Sequence, residues 1–369
     1  MTPANSGART FAAPQTSPHR AEQCGGDFAF SLCYDVVAGL PDVGIFAYPA
    51  SMTAPIRPAA LELPDALISR MRAGERGAIS AAVTSLEALR PDAPALLQAM
   101  QPHLGHALVA GFTGPPGAGK STLVNALIRH LRDKGKTVAV IAVDPSSPVS
   151  GGAILGDRIR MTAALDDDGV FVRSLASRGY LGGLSPAAVR IIDAFDAAGF
   201  DVILLETVGT GQNEIDVAEV ADVRVVIAAP GLGDDIQAMK SGLLEIADVL
   251  VVNKGDREGA EQTLHQLKGA LSIRAYQRNE VPVLKTTATT GEGICALMDA
   301  ISAVGARVSA LPTHERRRRR ARYLIARAAA DLVAARVKGG VGSDLDGFAD
   351  AVLAGTLSPD AAAMQLMKL

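Results

Sequence analysis

Nine residues constrain this chain more than any others. Residues 114–122 read GPPGAGKST, which satisfies G-x-x-x-x-G-K-[ST] with Gly114, Gly119, Lys120 and Ser121 at the fixed positions. The apolar run ALVAGF stands just before the loop, and Leu123, Leu127 and Leu131 follow at four-residue steps, the spacing of a buried helix stripe. A strand that turns through glycines into a helix can bring successive backbone N–H groups onto phosphate oxygens with no Cβ in the way. The positive end of the helix adds to the attraction. The expected triphosphate cradle is therefore Gly114, Pro115, Pro116, Gly117, Ala118, Gly119, Lys120, Ser121 and Thr122. Within it, Lys120 is expected to reach the β- and γ-phosphates and Ser121 to hold Mg²⁺ through its hydroxyl.

The surroundings of this loop give the fold class. Short, nearly continuous apolar runs alternate with amphipathic stretches: TVAVIAV at 137–143, VILLE at 202–206, VRVVIAA at 223–229, VLVVN at 249–253 and VPVL at 281–284. Such runs belong to parallel strands buried on both faces. Right-handed crossovers then give an α/β, three-layer, doubly wound, mostly parallel sheet, with its ligand site at the strand carboxyl ends. Upstream, Leu67, Ile68, Met71, Ile79, Val83, Leu86 and Leu89 recur at helical steps. The expected organisation is a tail over 1–60 that is rich in Pro, Ala, Ser, Gly and Thr and disordered, a helical extension over 61–106, a nucleotide-binding domain over 107–310 and a helical arm over 311–369.

A second motif selects the base. Residues 253–256 read NKGD at the end of VLVV. The Asp256 carboxylate can accept from the N1–H and 2-amino group of guanine; adenine offers an acceptor at N1 and no such amino donor. Two hydrogen bonds to a charged group, at roughly 1.5–3 kcal/mol each, discriminate by about a hundredfold or more. Asn253 is expected to tie this loop to the phosphate loop, and the stem of Lys254 to cover the base. TTATTGEGI at 286–294 follows the last strand, where Thr287, Ala288 and Thr289 form the expected second base-contacting segment. A third stretch, VILLETVGTGQNE at 202–214, ends a strand in Glu206, followed by Gly209 and Gln212. Small GTPases have Asp-x-x-Gly-Gln at this turn. Here the acid is Glu206 and the residue after Gly209 is Thr210.

Together with TVAVIAVDPSSPVSGGAILGDRIRM, RGYLGG and PGLGDDIQAMKSG, these motifs resemble the MeaB/ArgK-type P-loop GTPases over about residues 60–310, and more weakly over the helical tail. The resemblance implies a dimeric G domain of the SIMIBI type with N- and C-terminal helical extensions, the arm over 311–369 serving dimerisation. It implies a homodimeric GTPase chaperone that gates adenosylcobalamin loading and protection of a B12-dependent acyl-CoA mutase of the methylmalonyl-CoA type. The cobalamin adenosyltransferase is a further implied partner; Mg²⁺ and GTP or GDP are the implied ligands, with no cobalamin held by this chain itself. The implied catalytic set is Lys120, Asp144, Asp157, Glu206 and Gly209. Ser121, Asp144, Asp157 and Glu206 are the implied Mg²⁺ group, partly through water. The N–H of Gly209 is expected to meet the γ-phosphate. The implied switch residues are Gln212 and, in the glycine-hinged loop 230–242, Asp234, Asp235, Gln237 and Lys240. Without a glutamine directly after Gly209, water positioning is expected to be incomplete in the free protein, so that hydrolysis is slow alone and rises with the client mutase.

Two other readings belong to different classes: an ATP-dependent kinase or ATPase of basic amino-acid transport, after the family's older naming, and a metal-insertion GTPase. NKGD disfavours the first. His103 and His106 are too sparse for the second and are expected at the surface. Aromatics make up 4% of the chain and Trp is absent, which argues against base-stacking nucleic-acid surfaces. The net charge of −3 gives no general pull towards nucleic acid or anionic lipid. No apolar run approaches membrane-spanning length, and three dispersed cysteines fit a reducing compartment, so a soluble, cytoplasmic protein is expected. The run of arginines over 316–320 is read as a solvated helix face, with Leu324, Leu332 and Val333 as packing or interface residues.

Overall fold

The computed structural model of the chain describes residues 63–144, 167–176, 184–207, 216–231, 242–272, 281–310, 313–338 and 345–368. Seven strands form one sheet: β1 (Leu108–Thr113), β2 (Val138–Asp144), β3 (Val170–Ala176), β4 (Val202–Thr207), β5 (Val223–Ala228), β6 (Val249–Val252) and β7 (Val283–Lys285). Their order is β3-β2-β4-β1-β5-β6-β7 and every neighbouring pair is parallel. Six of these strands coincide with the apolar runs. The seventh, β3, is broken in sequence by Arg173 and Ser174, because it lies at the sheet edge and pairs only with β2. Arg173 there forms an ion pair with Glu87.

Side-chain alternation divides the sheet into two dry faces. Ala110, Phe112, Val140, Leu204, Val225, Ile227 and Val251 pack on one side with α4 (Lys120–Asp133) and with the helix at Ile294–Ser309. The opposite side carries Val109, Ile141, Val143, Ile203 and Leu205, covered by Pro186–Ala198 and Asp216–Val220. On that same side Val226, Ala228, Leu250 and Val252 pack with Leu243–Ile246 and Ala260–Ser272. In chain order the helices are α1 (Pro64–Arg72), α2 (Arg76–Ala88), α3 (Ala93–Met100), α4, α5 (Pro186–Ala198), α6 (Asp216–Val220), α7 (Leu243–Ile246), α8 (Ala260–Ser272), α9 (Ile294–Ser309), α10 (Thr313–Lys338), α11 (Leu345–Leu353) and α12 (Pro359–Lys368).

The upstream helices join the α5 side of this core. Leu67, Ile68, Met71, Ile79, Val83 and Leu86 are buried in one cluster with Ile191, Ile192 and Phe195 of α5. Leu89 departs from the expected stripe: it is 60% exposed. It caps α2 in a left-handed conformation at φ 49°, so the helical repeat stops one residue before it. The expected α4 stripe of Leu123, Leu127 and Leu131 is buried throughout.

The arginine run over 316–320 is not a solvated face. Arg316 and Arg320 are 8% and 5% exposed and converge on Asp222, which is fully buried. Arg318 remains outward and Arg317 bonds Gln101. At helical spacing, residues four apart share a face, so the run splits between an inner pair and outer residues. Farther along α10, Leu324 packs against the core while Leu332 is 72% exposed. No helix among the described residues is long and apolar enough to cross a membrane.

Candidate nucleotide-binding site

The carboxyl ends of β1, β2, β4, β6 and β7 place the candidate residues along one edge of the sheet. The phosphate loop leaves β1 there and enters α4. Three of its glycines, Gly114, Gly117 and Gly119, have φ of 146°, 78° and 87°, values that side chains with a Cβ rarely adopt. A Cβ on Gly114 would lie 2.2 Å from the carbonyl oxygen of Ile227 in β5, and one on Gly119 would lie 2.5 Å from Nδ2 of Asn253. The loop is therefore held between β5 on one side and the end of β6 on the other.

Lys120 is buried, and its Nζ donates to the carbonyl oxygens of Gly114 (2.8 Å) and Pro115 (3.0 Å) of its own loop. Ser121, at the start of α4, donates its hydroxyl to Oε1 of Glu206 at 2.6 Å. Glu206 is 4% exposed at the end of β4 and stands in register with Phe112 of β1. A hydroxyl oxygen and a carboxylate oxygen side by side at a helix start are hard donors of the kind Mg²⁺ takes, so this donor set fits that ion. Asp144 closes β2 at the same edge, its backbone paired in register with Ala176. Asp157, Gly209, Gln212, Asp234, Asp235, Gln237 and Lys240 lie outside the described residues.

Asn253 joins the two halves of the site. It is 2% exposed at the end of β6. Its Nδ2 donates to the carbonyl oxygens of Ala118 (3.0 Å) and Gly119 (3.3 Å) in the phosphate loop. Its Oδ1 accepts from Thr286 Oγ1 and from the backbone N–H of Ala288, both at 3.2 Å. One amide thus uses donors on one loop and an acceptor on the other. Lys254 has φ 57°, and its Cε lies 3.8 Å from the position of a Cβ on Gly119, so its stem runs back along the phosphate loop. Asp256 is exposed and open to a ligand.

In the last loop, Thr287 is buried and pairs with Glu292 through backbone and side chain. Ala288 faces Asn253 and Thr289 is exposed. Thr286 went unnoticed in the sequence although it is 1% exposed and completes the Asn253 contacts; its position directly after β7 was the available signal. His103 and His106 do not combine with other ligating side chains: no group of three or more His, Cys, Asp or Glu capable of holding a metal occurs among the described residues.

A parallel α/β sheet with a glycine-rich strand-to-helix phosphate loop, a carboxylate on the adjacent strand and an Asn-Lys-x-Asp turn two strands away defines a P-loop nucleoside-triphosphatase of the guanine-reading type. Comparison with known proteins narrows this. Residues 79–341 match the family model "Methylmalonyl Co-A mutase-associated GTPase MeaB", and the chain belongs to that family of GTPases. It is 42% identical over 243 residues to "GTPase ArgK" of Escherichia coli, covering 63% of this chain and 73% of that one. It is 38% identical over 195 residues to the "Methylmalonic aciduria type A homolog, mitochondrial" of Mus musculus, covering 51% of this chain and 47% of that one. The solved structure "Crystal structure of LAO/AO transport system kinase" superimposes with a TM-score of 0.64 at 30% identity, over 83% of this chain and 96% of that chain.

Proposed function

We propose that this GTPase is a switch that serves a B12-dependent acyl-CoA mutase, its nucleotide state governing loading and protection of the mutase's adenosylcobalamin. The family description couples the GTPase to methylmalonyl-CoA mutase, and the mouse relative's name refers to methylmalonic aciduria. The observation that carries the nucleotide half of the reading is Asn253, whose four hydrogen bonds join phosphate loop and base loop into one unit.

In this reading residues 114–122 cradle the phosphates and Lys120 turns from its own carbonyls to the β/γ-phosphates. Asp256 reads guanine, with Lys254, Thr287, Ala288 and Thr289 around the base. Ser121 and Glu206 hold Mg²⁺, with Asp144 and Asp157 completing its surroundings; when bound, the ion neutralises charge that develops on the phosphate oxygens. Gly209 contacts the γ-phosphate. Gln212, Asp234, Asp235, Gln237 and Lys240 relay the nucleotide state to the partner. The protein acts as a homodimer through its C-terminal helices, and the cobalamin adenosyltransferase is a second partner. The transport-kinase wording belongs to the solved relative; Asp256 favours guanosine over the adenosine that a kinase reading requires.

The test is retention of a purified acyl-CoA mutase on the immobilised protein with GDP or with a non-hydrolysable GTP analogue. Retention that depends on which nucleotide is present supports the reading; no retention in either state removes it. Turnover of the isolated protein at about 5–20 s⁻¹, the rate of a completed site, would remove the claim that the partner completes catalysis.

A further inference from the structure

At the amino ends of β1, β2 and β4, the pole of the sheet away from the phosphate loop, a cavity of about 500 Å³ opens between α4 and α9. That volume lies within the range of small-molecule sites. The interior is apolar: Leu131 of α4, Leu108 of β1, Val202 of β4, Met298 of α9, and Phe200. The backbone beneath is already paired. The N–H of Leu108 donates to Asp201 O at 3.1 Å and that of Val202 to Thr137 O at 3.2 Å. The α9 wall stands close to β1 because Gly305 faces it: a Cβ there would lie 2.8 Å from Leu108 Cδ1.

The rim is polar and carries His106, Lys134, Lys136 and Asp201. Both oxygens of Asp201 are in use. Oδ1 accepts from Lys136 Nζ at 2.9 Å, and Oδ2 accepts from the N–H and the hydroxyl of Thr137 at 2.8 and 2.9 Å. An ammonium has three donors, and Asp201 takes one of those on Lys136. Two exposed lysines against one occupied carboxylate leave the rim positive. The carbonyls that end α4 do not offset this charge. Leu131 O accepts from the N–H groups of Lys134 and Lys136, and Arg132 O from that of Gly135. An apolar interior under a cationic rim is complementary to a molecule with an apolar body and an anionic head.

We propose that this cavity is a second ligand site, separate from the nucleotide site, for a small aliphatic carboxylate. The chain of the ligand fills the space between Leu131, Val202 and Met298, and its carboxylate meets Lys134 and Lys136 at the mouth. None of the residues assigned to phosphates, base or Mg²⁺ lines the cavity. The proposal therefore stands apart from the reading of the chain as a mutase-serving GTPase.

The probe is octanoate, titrated at neutral pH into the full chain with and without saturating GDP and Mg²⁺, and followed by ligand-observed NMR. Hexanoate, octanol and octylamine are the comparisons. Octanoate is expected to saturate one site with a Kd of about 1 mM or tighter, the scale for a ligand of its size. Hexanoate should bind about tenfold more weakly, at roughly fourfold per methylene, and octanol and octylamine more weakly than octanoate. Lys134→Ala should weaken octanoate about two- to fivefold, the scale of an exposed ion pair, and leave octanol unchanged. Ala306→Phe and Ser302→Phe, both at exposed positions of the α9 wall, should fill the cavity and abolish binding of every probe, with GDP affinity and denaturation midpoint as in the parent. Absence of saturable octanoate binding up to about 10 mM, an order of magnitude above that Kd, overturns the proposal. So do octylamine binding as tightly as octanoate, unchanged octanoate affinity in Lys134→Ala or in the two filled variants, and displacement of octanoate by GDP, which would put it in the phosphate cradle. A chain that takes octanoate but no guanosine nucleotide would strike the nucleotide reading and leave this site standing.

Discussion

Replacing Asn253 tests whether the two loops of the site form one unit. Four hydrogen bonds end on this side chain, at 3.0, 3.3, 3.2 and 3.2 Å. A typical net contribution is about 0.5–1.5 kcal/mol each, and three of the four are long enough to sit at the low end. Asn253→Ala should therefore cost about 2–3 kcal/mol of folding stability. GDP affinity should fall roughly fivefold to thirtyfold, as the phosphate loop and base loop lose their common tie. Asn253→Asp is the sharper probe because it keeps the shape. It replaces the Nδ2 donor with a carboxylate oxygen about 3 Å from two carbonyl oxygens, so attraction becomes repulsion. The expected order of stability at neutral pH is Asn, then Ala, then Asp. The Asp variant should recover partly in mild acid, where a proton restores one donor. Urea unfolding gives the stabilities, and titration calorimetry with GDP and Mg²⁺ gives the affinities. If Asn253→Asp binds GDP as well as the parent, or is more stable than Asn253→Ala, the clamp does not work as described.

Asp256→Asn should weaken GTP about a hundredfold and shift preference towards xanthosine nucleotides, whose 2-oxo group accepts from the new amide; nucleotide competition reads this. The Asp193 carboxyl is pushed up from 3.8 to about 6 by burial, which Arg320 opposes and Asp196 reinforces. With the folded value above the unfolded one, its contribution is present below about pH 4 and lost as pH rises through about 6. Asp193→Asn should accordingly gain up to about 3 kcal/mol on the parent above pH 6 and nothing near pH 4, in paired unfolding curves. Gly111→Ala should cost about 1–3 kcal/mol by overpacking against Val217 and Ala221, seen as a lower denaturation midpoint. Asp222→Asn should cost about 3–5 kcal/mol, because Arg316 and Arg320 stay buried without their counter-charge; Arg319, at 37% side-chain exposure, should tolerate alanine with a loss below about 1 kcal/mol.

The parts of this site that were legible in the sequence are those specified by neighbours along the chain. The phosphate loop is nine consecutive residues between a strand and a helix, so spacing alone locates it. The tie from Asn253 to that loop was legible because NKGD stands at a strand end on the same sheet edge. Where the deciding partner lies far away in sequence, the pattern failed. Arg316 and Arg320 read as surface charges because Asp222 belongs to a different element, and only folding brings them to 3.6 and 3.0 Å. β3 was passed over because an edge strand needs fewer apolar positions than a central one. Leu89 fitted the helical repeat but falls on the residue where the helix stops. Thr286 carries its signal in a single hydroxyl, which no periodicity marks.

At the root of α10 three arginines gather around one buried acid. Arg316, Arg319 and Arg320 all lie within 4 Å of Asp222, at 3.6, 3.9 and 3.0 Å. The nearby Asp196 is already used by the backbone N–H groups of Gly105, His106 and Ala107. The remaining balance comes from peptide carbonyls: Gly105 O accepts from Arg316, Val220 O from Arg320 and Ala221 O from Arg319. Two of these end α6, where the partial negative charge of a helix terminus collects. A planar guanidinium can serve a carbonyl through Nε and a carboxylate through Nη2 at once, as Arg320 does; a lysine ammonium, a point charge on a flexible stem, has no such fork. Arginine at position 320 is thus dictated by a fork that joins α6 to the buried acid beside β5, while Arg316 joins the same acid to Gly105 O.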